Sequence, residues 1–401
     1  MKLSTDRILT THVGSLPRPA DLFDLLVAQD QGETGDEAAL ELEAALEGKA
    51  AAAVKDVVAR QVECGIDVVS DGEMGKIAYT FYVKHRLAGI QDGEPPGADL
   101  PADVVNADLE DHPDYNERVK RVGGRWALQF TRPWVTGPLS YQNHAPLERD
   151  VAHLADALAA ITPATKPLEA FMNAASPGVL SKFVPDAYYK NEDHYIAAMA
   201  DAMKIEYEAI HAAGFLLQID CPDLASARHN QYTALTDDEF LHIAERNVEA
   251  VNAATANIPP EAMRIHICWG NYEGPHTHDI PLAKVFPLLM KARPAAVLFE
   301  GANPRHAHEW EDIEDTKIPD HKILIPGVID STTNFVEHPK LIAQRICRYA
   351  AIVGRERVLA GSDCGFGTFA RKEPTVAPSV VWSKFRAMAE GARLATEKLW
   401  R

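Results

Sequence analysis

Four residues stand at spacings that suit a metal ion: His266, Cys268, Glu300 and Cys364. In an extended strand, residues i and i+2 face the same side, so His266 and Cys268 can reach one cation. Glu300 closes the next apolar run, and Cys364 stands just past the last one. Two thiolates, an imidazole and a carboxylate suit tetrahedral Zn²⁺, whereas Mg²⁺ and Ca²⁺ prefer oxygen donors alone. His-x-Cys is not specific by itself, because a buried strand also holds both residue types by chance. Ser15, Glu73, Asp220, Asp330 and Asp363 occupy equivalent places at the ends of other apolar runs. Polar groups that converge at one end of a sheet would make a site. Loops after strands are polar in any case, which is the bland alternative.

The elements that must position these residues follow a repeated pattern. A helix-like stretch, a Gly and a short apolar run ending in an acidic residue recur around Gly65, Gly214 and Gly354. A Gly just past a helix ends it in the left-handed conformation. Runs such as FLLQID, apolar almost throughout, suit strands buried on both faces of a parallel sheet. Nine runs qualify: 8–15, 66–71, 132–139, 169–176, 215–220, 263–268, 295–300, 323–330 and 357–363. Eight strands close a barrel, so one run lies outside. Residues 132–139 are the expected outsider, paired as a hairpin with the adjacent β-like run 125–131. The expectation is a single (β/α)8 TIM barrel over residues 1–401, with that hairpin inserted after the second strand. Insertions are expected at about 29–37 and 76–140, the second containing a Pro-, Gly- and Asp-rich stretch at 91–116.

Composition sets the outer limits. A length of 401 residues allows two or three domains, but α/β barrels run longer as one unit. A net charge of −18 argues against nucleic acid or an anionic membrane as the main partner. No apolar run approaches the ~20 residues of a membrane helix, and the opening MKLSTDRILTTHVG has no signal-like apolar stretch. Five cysteines without such a signal suit a reduced, cytoplasmic protein. Cys64 and Cys347 read as core residues, and Cys221 as ambiguous because it follows Asp220.

The runs HICWGNYEGPH, LFEGANPRH, PGVID and AGSDCGFGT resemble the catalytic barrel of cobalamin-independent methionine synthases. TTHVGSLPRP, SDGEMG and LQIDCPD match the same family in the same order. The matches extend from about residue 10 to 369, as in the short "core" form that lacks an additional N-terminal barrel. The resemblance implies zinc-dependent transfer of a methyl group to a thiol, homocysteine in the best-known case. It implies His266, Cys268, Glu300 and Cys364 as zinc ligands, with Glu300 the one that yields its place. It further implies that Glu73 and Asp220 hold the substrate ammonium and that Ser15 meets the carboxylate. His12, His276, His278 and His306 stand in matched loops and read as structural histidines.

Two departures concern the methyl donor. Where the long enzymes carry a histidine acid, this chain has about Thr332, which cannot supply a proton near neutral pH as imidazole can. In place of a folate-stacking tryptophan it offers Phe183. The expected donor is therefore methylcobalamin-like, with a corrinoid protein as its carrier, or else methyltetrahydrofolate. The rival reading is alkyl transfer like that of epoxyalkane:coenzyme M transferase, whose sulfonate acceptor would call on Arg18 or Lys76. A metal-holding barrel that only binds or regulates is a third alternative, and a zinc hydrolase a fourth.

Overall fold

The computed structural model describes residues 1–32, 36–95, 107–121, 131–314 and 316–401. Its ten strands are β1 (Leu9–Thr10), β2 (Val68–Ser70), β3 (Leu87–Asp92), β4 (Pro133–Tyr141), β5 (Glu169–Ala175), β6 (Leu216–Asp220), β7 (Met263–His266), β8 (Ala296–Phe299), β9 (Ile323–Ile329) and β10 (Leu359–Ser362). Eight form one parallel sheet in the order β1-β10-β9-β8-β7-β6-β5-β2. Its two ends meet: Asp67 N–H donates to the Thr10 carbonyl (3.1 Å) and Leu16 N–H to that of Gly72 (3.0 Å). The Asp67 carboxylate accepts from Thr10 N–H and from the Arg7 guanidinium across this seam. The result is the expected (β/α)8 barrel.

All eight barrel strands arise from runs read as strands, and 132–139 is indeed the run left outside. Helices follow the strands, including Glu192–Ala212, Pro339–Val353 and Pro378–Leu399. Gly65, Gly214 and Gly354 take positive φ of 82°, 85° and 87°, which ends the preceding helices cheaply. Apolar side chains form an inner cluster of Leu9, Val68, Phe171, Leu298, Ile325 and Leu359 among others. A larger cluster lies between strands and helices. Along β5, β6 and β7 the alternate positions turn polar toward the strand ends, at Asn173, Gln218 with Asp220, and Arg264 with His266. This period of two raises a polar layer above the apolar floor. Arg264 is buried there, donating to Thr11 Oγ1 (2.9 Å) and lying 3.9 Å from the Phe171 ring centroid. Burial pulls its guanidinium down to about 9.

The excursion after β2 differs from expectation. β4 pairs antiparallel with β3, Leu87 opposite Tyr141 and Asp92 opposite Pro133. Residues 125–130, the expected partner, lie outside the described residues. The partner seen among the described residues, β3, left little signal: Gly89 interrupts the alternation of LAGIQD and sits at a register shift between Ala88 and Ile90, with φ 82°. The described part of the stretch 29–37 belongs to two helices. The helix Ala20–Gln31 runs into this stretch, Gly32 ends that helix with φ 63°, and the helix Asp36–Glu63 begins there. From the stretch 91–116, Asp108 reaches the loop after β7, accepting from the backbone N–H of His276 and Thr277. Among the described residues, no helix is long and apolar enough to cross a membrane.

Candidate metal centre and its cavity

β7 ends at His266 with its side chain inward, and Cys268 follows two residues on. Parallel pairing sets Asp220 of β6 level with His266. Glu300 comes directly after β8, and Cys364 two residues after β10. The ligating atoms of His266, Cys268 and Cys364 lie within 4.8 Å of one another, and all three residues are buried. Glu300 is not part of that group, though its Oε1 lies 3.8 Å from Cys364 Sγ. Glu300 also accepts from Trp269 N–H (2.9 Å) and from Asn303 Nδ2 (2.6 Å). Asp363, beside Cys364, accepts from the backbone N–H groups of Gly301, Ala302 and Asn303. The loop carrying Glu300 is thereby tied to the strand end carrying the thiol. His266 Nδ1 lies 3.3 Å from Asp220 Oδ1, an outer partner of the sort that orients a ligating imidazole.

The electrostatics suit a cation. Burial pushes the Cys364 thiol well above its usual range, with Cys268 and Glu300 adding to the effect. Glu300 is likewise raised to about 8, chiefly by burial, with Cys268 and Asp363 adding to it and His306 opposing. Groups that oppose one another's charge in this way are stabilised as anions when a divalent ion sits among them. Two sulfurs and an imidazole are the donors of a soft ion, so the residues present fit such a metal.

The triad faces a cavity of about 850 Å³, measured with its open mouth. Ser15, Glu73, Asp220 and Phe183 all line it, so four positions far apart in sequence come together there. Glu73 sits in a turn with φ 56°, a conformation rare for a side chain other than Gly. Its Oε2 is buried and accepts no hydrogen bond among the described residues. Arg18 Nη2 stays 3.8 Å from it. Burial raises Glu73 to about 7, Asp220 adding while Lys76 and Arg18 oppose. Asp220 accepts from Asn173 Nδ2 (2.9 Å) and Gln218 Nε2 (2.8 Å). Ser15 lies against Gly365, where a Cβ would stand 2.0 Å from Ser15 Oγ; Gly at this position keeps the cavity open beside Cys364. Phe183 forms an aromatic wall with Tyr79 and Phe369, centroids 5.7 and 6.2 Å away.

Thr332 is placed apart. It lines a neighbouring cavity of about 740 Å³ that shares Gly270, Asn271, Tyr272 and Cys364 with the first. Its hydroxyl donates to Asp330 Oδ1 at 2.9 Å. His12 is held by Gln61 (2.6 Å), and burial pulls it down to about 3. His276 and His306 both bond Asp279, and His278 meets Asp111 near the surface. Cys64 and Cys221 are buried, and Cys347 is half-buried. Arg18 and Lys76 do not line the cavity: Arg18 pairs with Glu73, its Nε donating to the Glu73 carbonyl (3.2 Å), and Lys76 Nζ donates to that of Asn173 (2.6 Å). Sequence reading missed Asn173, Lys182, Asn230 and Asn271 in the cavity wall. Asn173 left a signal, a lone polar residue inside the apolar run EAFMNAAS.

Fold and donors define the class: a (β/α)8 barrel with a candidate soft-metal centre at the C-terminal ends of its strands. No protein-family model matches the chain. It is 22% identical over 398 residues to a methionine synthase of Thermococcus kodakarensis, covering 98% of this chain and 94% of that one. A B12-independent methionine synthase from Shewanella sp. W3-18-1, solved with selenomethionine, has 19% identity and a TM-score of 0.68, covering 98% and 99% of the two chains. A shorter match, 23% identical over 247 residues, joins 55% of this chain to 60% of a 2-hydroxypropyl-CoM lyase of Xanthobacter autotrophicus. Over nearly its whole length the chain is thus similar in sequence to proteins named methionine synthase and shares the fold of a B12-independent one, the similarity that its motifs indicated.

Proposed function

We propose that this chain is a zinc-dependent S-methyltransferase that methylates a thiol, homocysteine, to form methionine. The observation that carries the reading is the meeting of three donors for a soft ion, from the ends of two barrel strands, in a cavity also lined by Glu73, whose Oε2 accepts no hydrogen bond among the described residues. When bound, Zn²⁺ favours the thiolate form of a ligating thiol, so a substrate sulfur becomes nucleophilic near neutral pH. His266, Cys268 and Cys364 hold the ion. Glu300 would be the exchangeable fourth donor, its oxygens already accepting from Trp269 N–H and Asn303 Nδ2. Glu73 and Asp220 receive the ammonium, and Ser15 the carboxylate. The wall of Tyr79, Phe183 and Phe369 excludes water from the sulfur and gives the methyl donor an apolar face. The donor is methylcobalamin-like or methyltetrahydrofolate. Thr332, committed to Asp330, offers no acid to a departing amine, which favours the cobalamin type.

A second reading, alkyl transfer to the zinc-bound thiol of coenzyme M, draws support from two cations in the cavity wall, Lys182 and Arg371. Turnover of zinc-loaded protein, with each thiol against methylcobalamin, methyltetrahydrofolate and an epoxide, separates the two. Methionine formation is expected; turnover confined to coenzyme M with an epoxide would replace the first reading by the second. Cys268→Ser and Cys364→Ser should each lose most of their zinc by metal analysis, and full retention would refute the ligand set.

A further inference from the structure

We infer that Lys182, together with Ser226 and Asn230, forms a seat in the cavity wall for an oxyanion: a carboxylate, sulfonate or phosphate on one of the two substrates. Lys182 belongs to the helix Pro177–Phe183 that follows β5, and Ser226 and Asn230 to the segment after β6. Its Nζ donates to Asn230 Oδ1 (2.5 Å) and Ser226 Oγ (3.2 Å). An ammonium has three N–H groups, so one is left over, and both acceptors are neutral. The residue is only 9% exposed and lines the same cavity as Glu73 and Cys268. The nearby Asp223 carboxylate is taken up by Ser176 (2.8 Å) and Asn247 (2.9 Å).

Other buried lysines of this chain show how a purely structural ammonium is satisfied. Lys322 gives its Nζ to three backbone carbonyls, those of Leu289, Ala292 and Pro294. Lys384 lies against both oxygens of Glu337. Lys182 has neither arrangement: among the described residues its hydrogen bonds go to neutral acceptors, while Asp223 and Cys268 favour its charge without bonding it, and a buried cation so placed is costly. Burial accordingly pulls it down to about 8. An incoming anion offsets that cost. With Glu73 and Asp220 also in the wall, the cavity carries both signs of charge around the metal donors, which suits a dipolar guest. This inference rests on the proposed thiol methylation for its ligand class, but its geometry does not.

The test uses the full zinc-loaded chain and calorimetric binding of L-methionine, its decarboxylated analogue 3-(methylthio)propylamine, methyl-coenzyme M and methyltetrahydrofolate. Lys182→Met should weaken at least one anionic ligand about tenfold or more and leave the decarboxylated amine within about twofold, with Lys182→Arg recovering part of the loss. Asn230→Asp, which supplies a carboxylate to Lys182 in place, should give the same anion-selective loss without removing the lysine. A loss on methionine assigns the seat to the acceptor, and a loss on methyltetrahydrofolate assigns it to the donor. If wild type binds methyl-coenzyme M but not methionine, and Lys182 matters for it, the seat stands and the homocysteine reading falls. Equal losses for charged and decarboxylated ligands, or none for any anion, overturn the seat.

Discussion

The residue scale is where Glu73 matters most. Its carboxylate is lifted to about 7 chiefly by burial, and one oxygen accepts no hydrogen bond. Receiving an ammonium requires the ionised form, so affinity for the amino-acid thiol should fall as pH drops through about 7 and level off above it. Glu73→Gln should flatten that profile and raise the KM for homocysteine about tenfold or more, the usual scale for losing a hydrogen bond to a charged group. An unchanged KM with the pH dependence intact would remove Glu73 from the ammonium site. The meeting of His266, Cys268 and Cys364 was partly legible at this scale: i, i+2 spacing puts the first two on one face, and only the resemblance joined Cys364 to them. Lys182 was not. A lysine after a strand is most often solvated, and no local pattern reveals that Ser226 and Asn230 come to meet it.

At the scale of elements, the barrel strands were legible because a strand buried on both faces must be apolar throughout, as in FLLQID. The β3–β4 ribbon was only half legible. β4 announced itself as a strand, but β3 has no steady alternation because Gly89 stands in its middle. The same glycine is the place to test the ribbon. A Cβ there would lie 2.5 Å from the Pro138 carbonyl oxygen, in a backbone conformation that β-branched residues avoid. Gly89→Val should therefore cost about 1–3 kcal/mol in chemical denaturation. It should leave zinc content unaltered, because no metal donor lies on the ribbon. A neutral effect would show that β3 can pair without its bulge. Thr332 illustrates another limit on sequence reading: its place along the chain is next to the site, yet the loop through Asn271 and Tyr272 decides which cavity it lines.

For the whole molecule, closure of the barrel rests on a seam where β1 and β2 share few ladder bonds. Asp67 carries much of it, accepting from Thr10 N–H (2.9 Å) and from Arg7. Asp67→Ala would leave a buried N–H without its acceptor and should destabilise the fold by about 1–3 kcal/mol. Faster amide exchange should appear at Thr10 in particular. Loss of stability without faster exchange there would place the weakness elsewhere.

Asp108 has a different reach. From the excursion after β2 it holds the backbone at His276 and Thr277, so the partition between the two hollows above the metal donors hangs from a distant part of the chain. Relatives that shorten or reshape that excursion would let the partition sag and fuse both chambers. The size of guest that each can admit would then be governed by a residue that lines neither chamber.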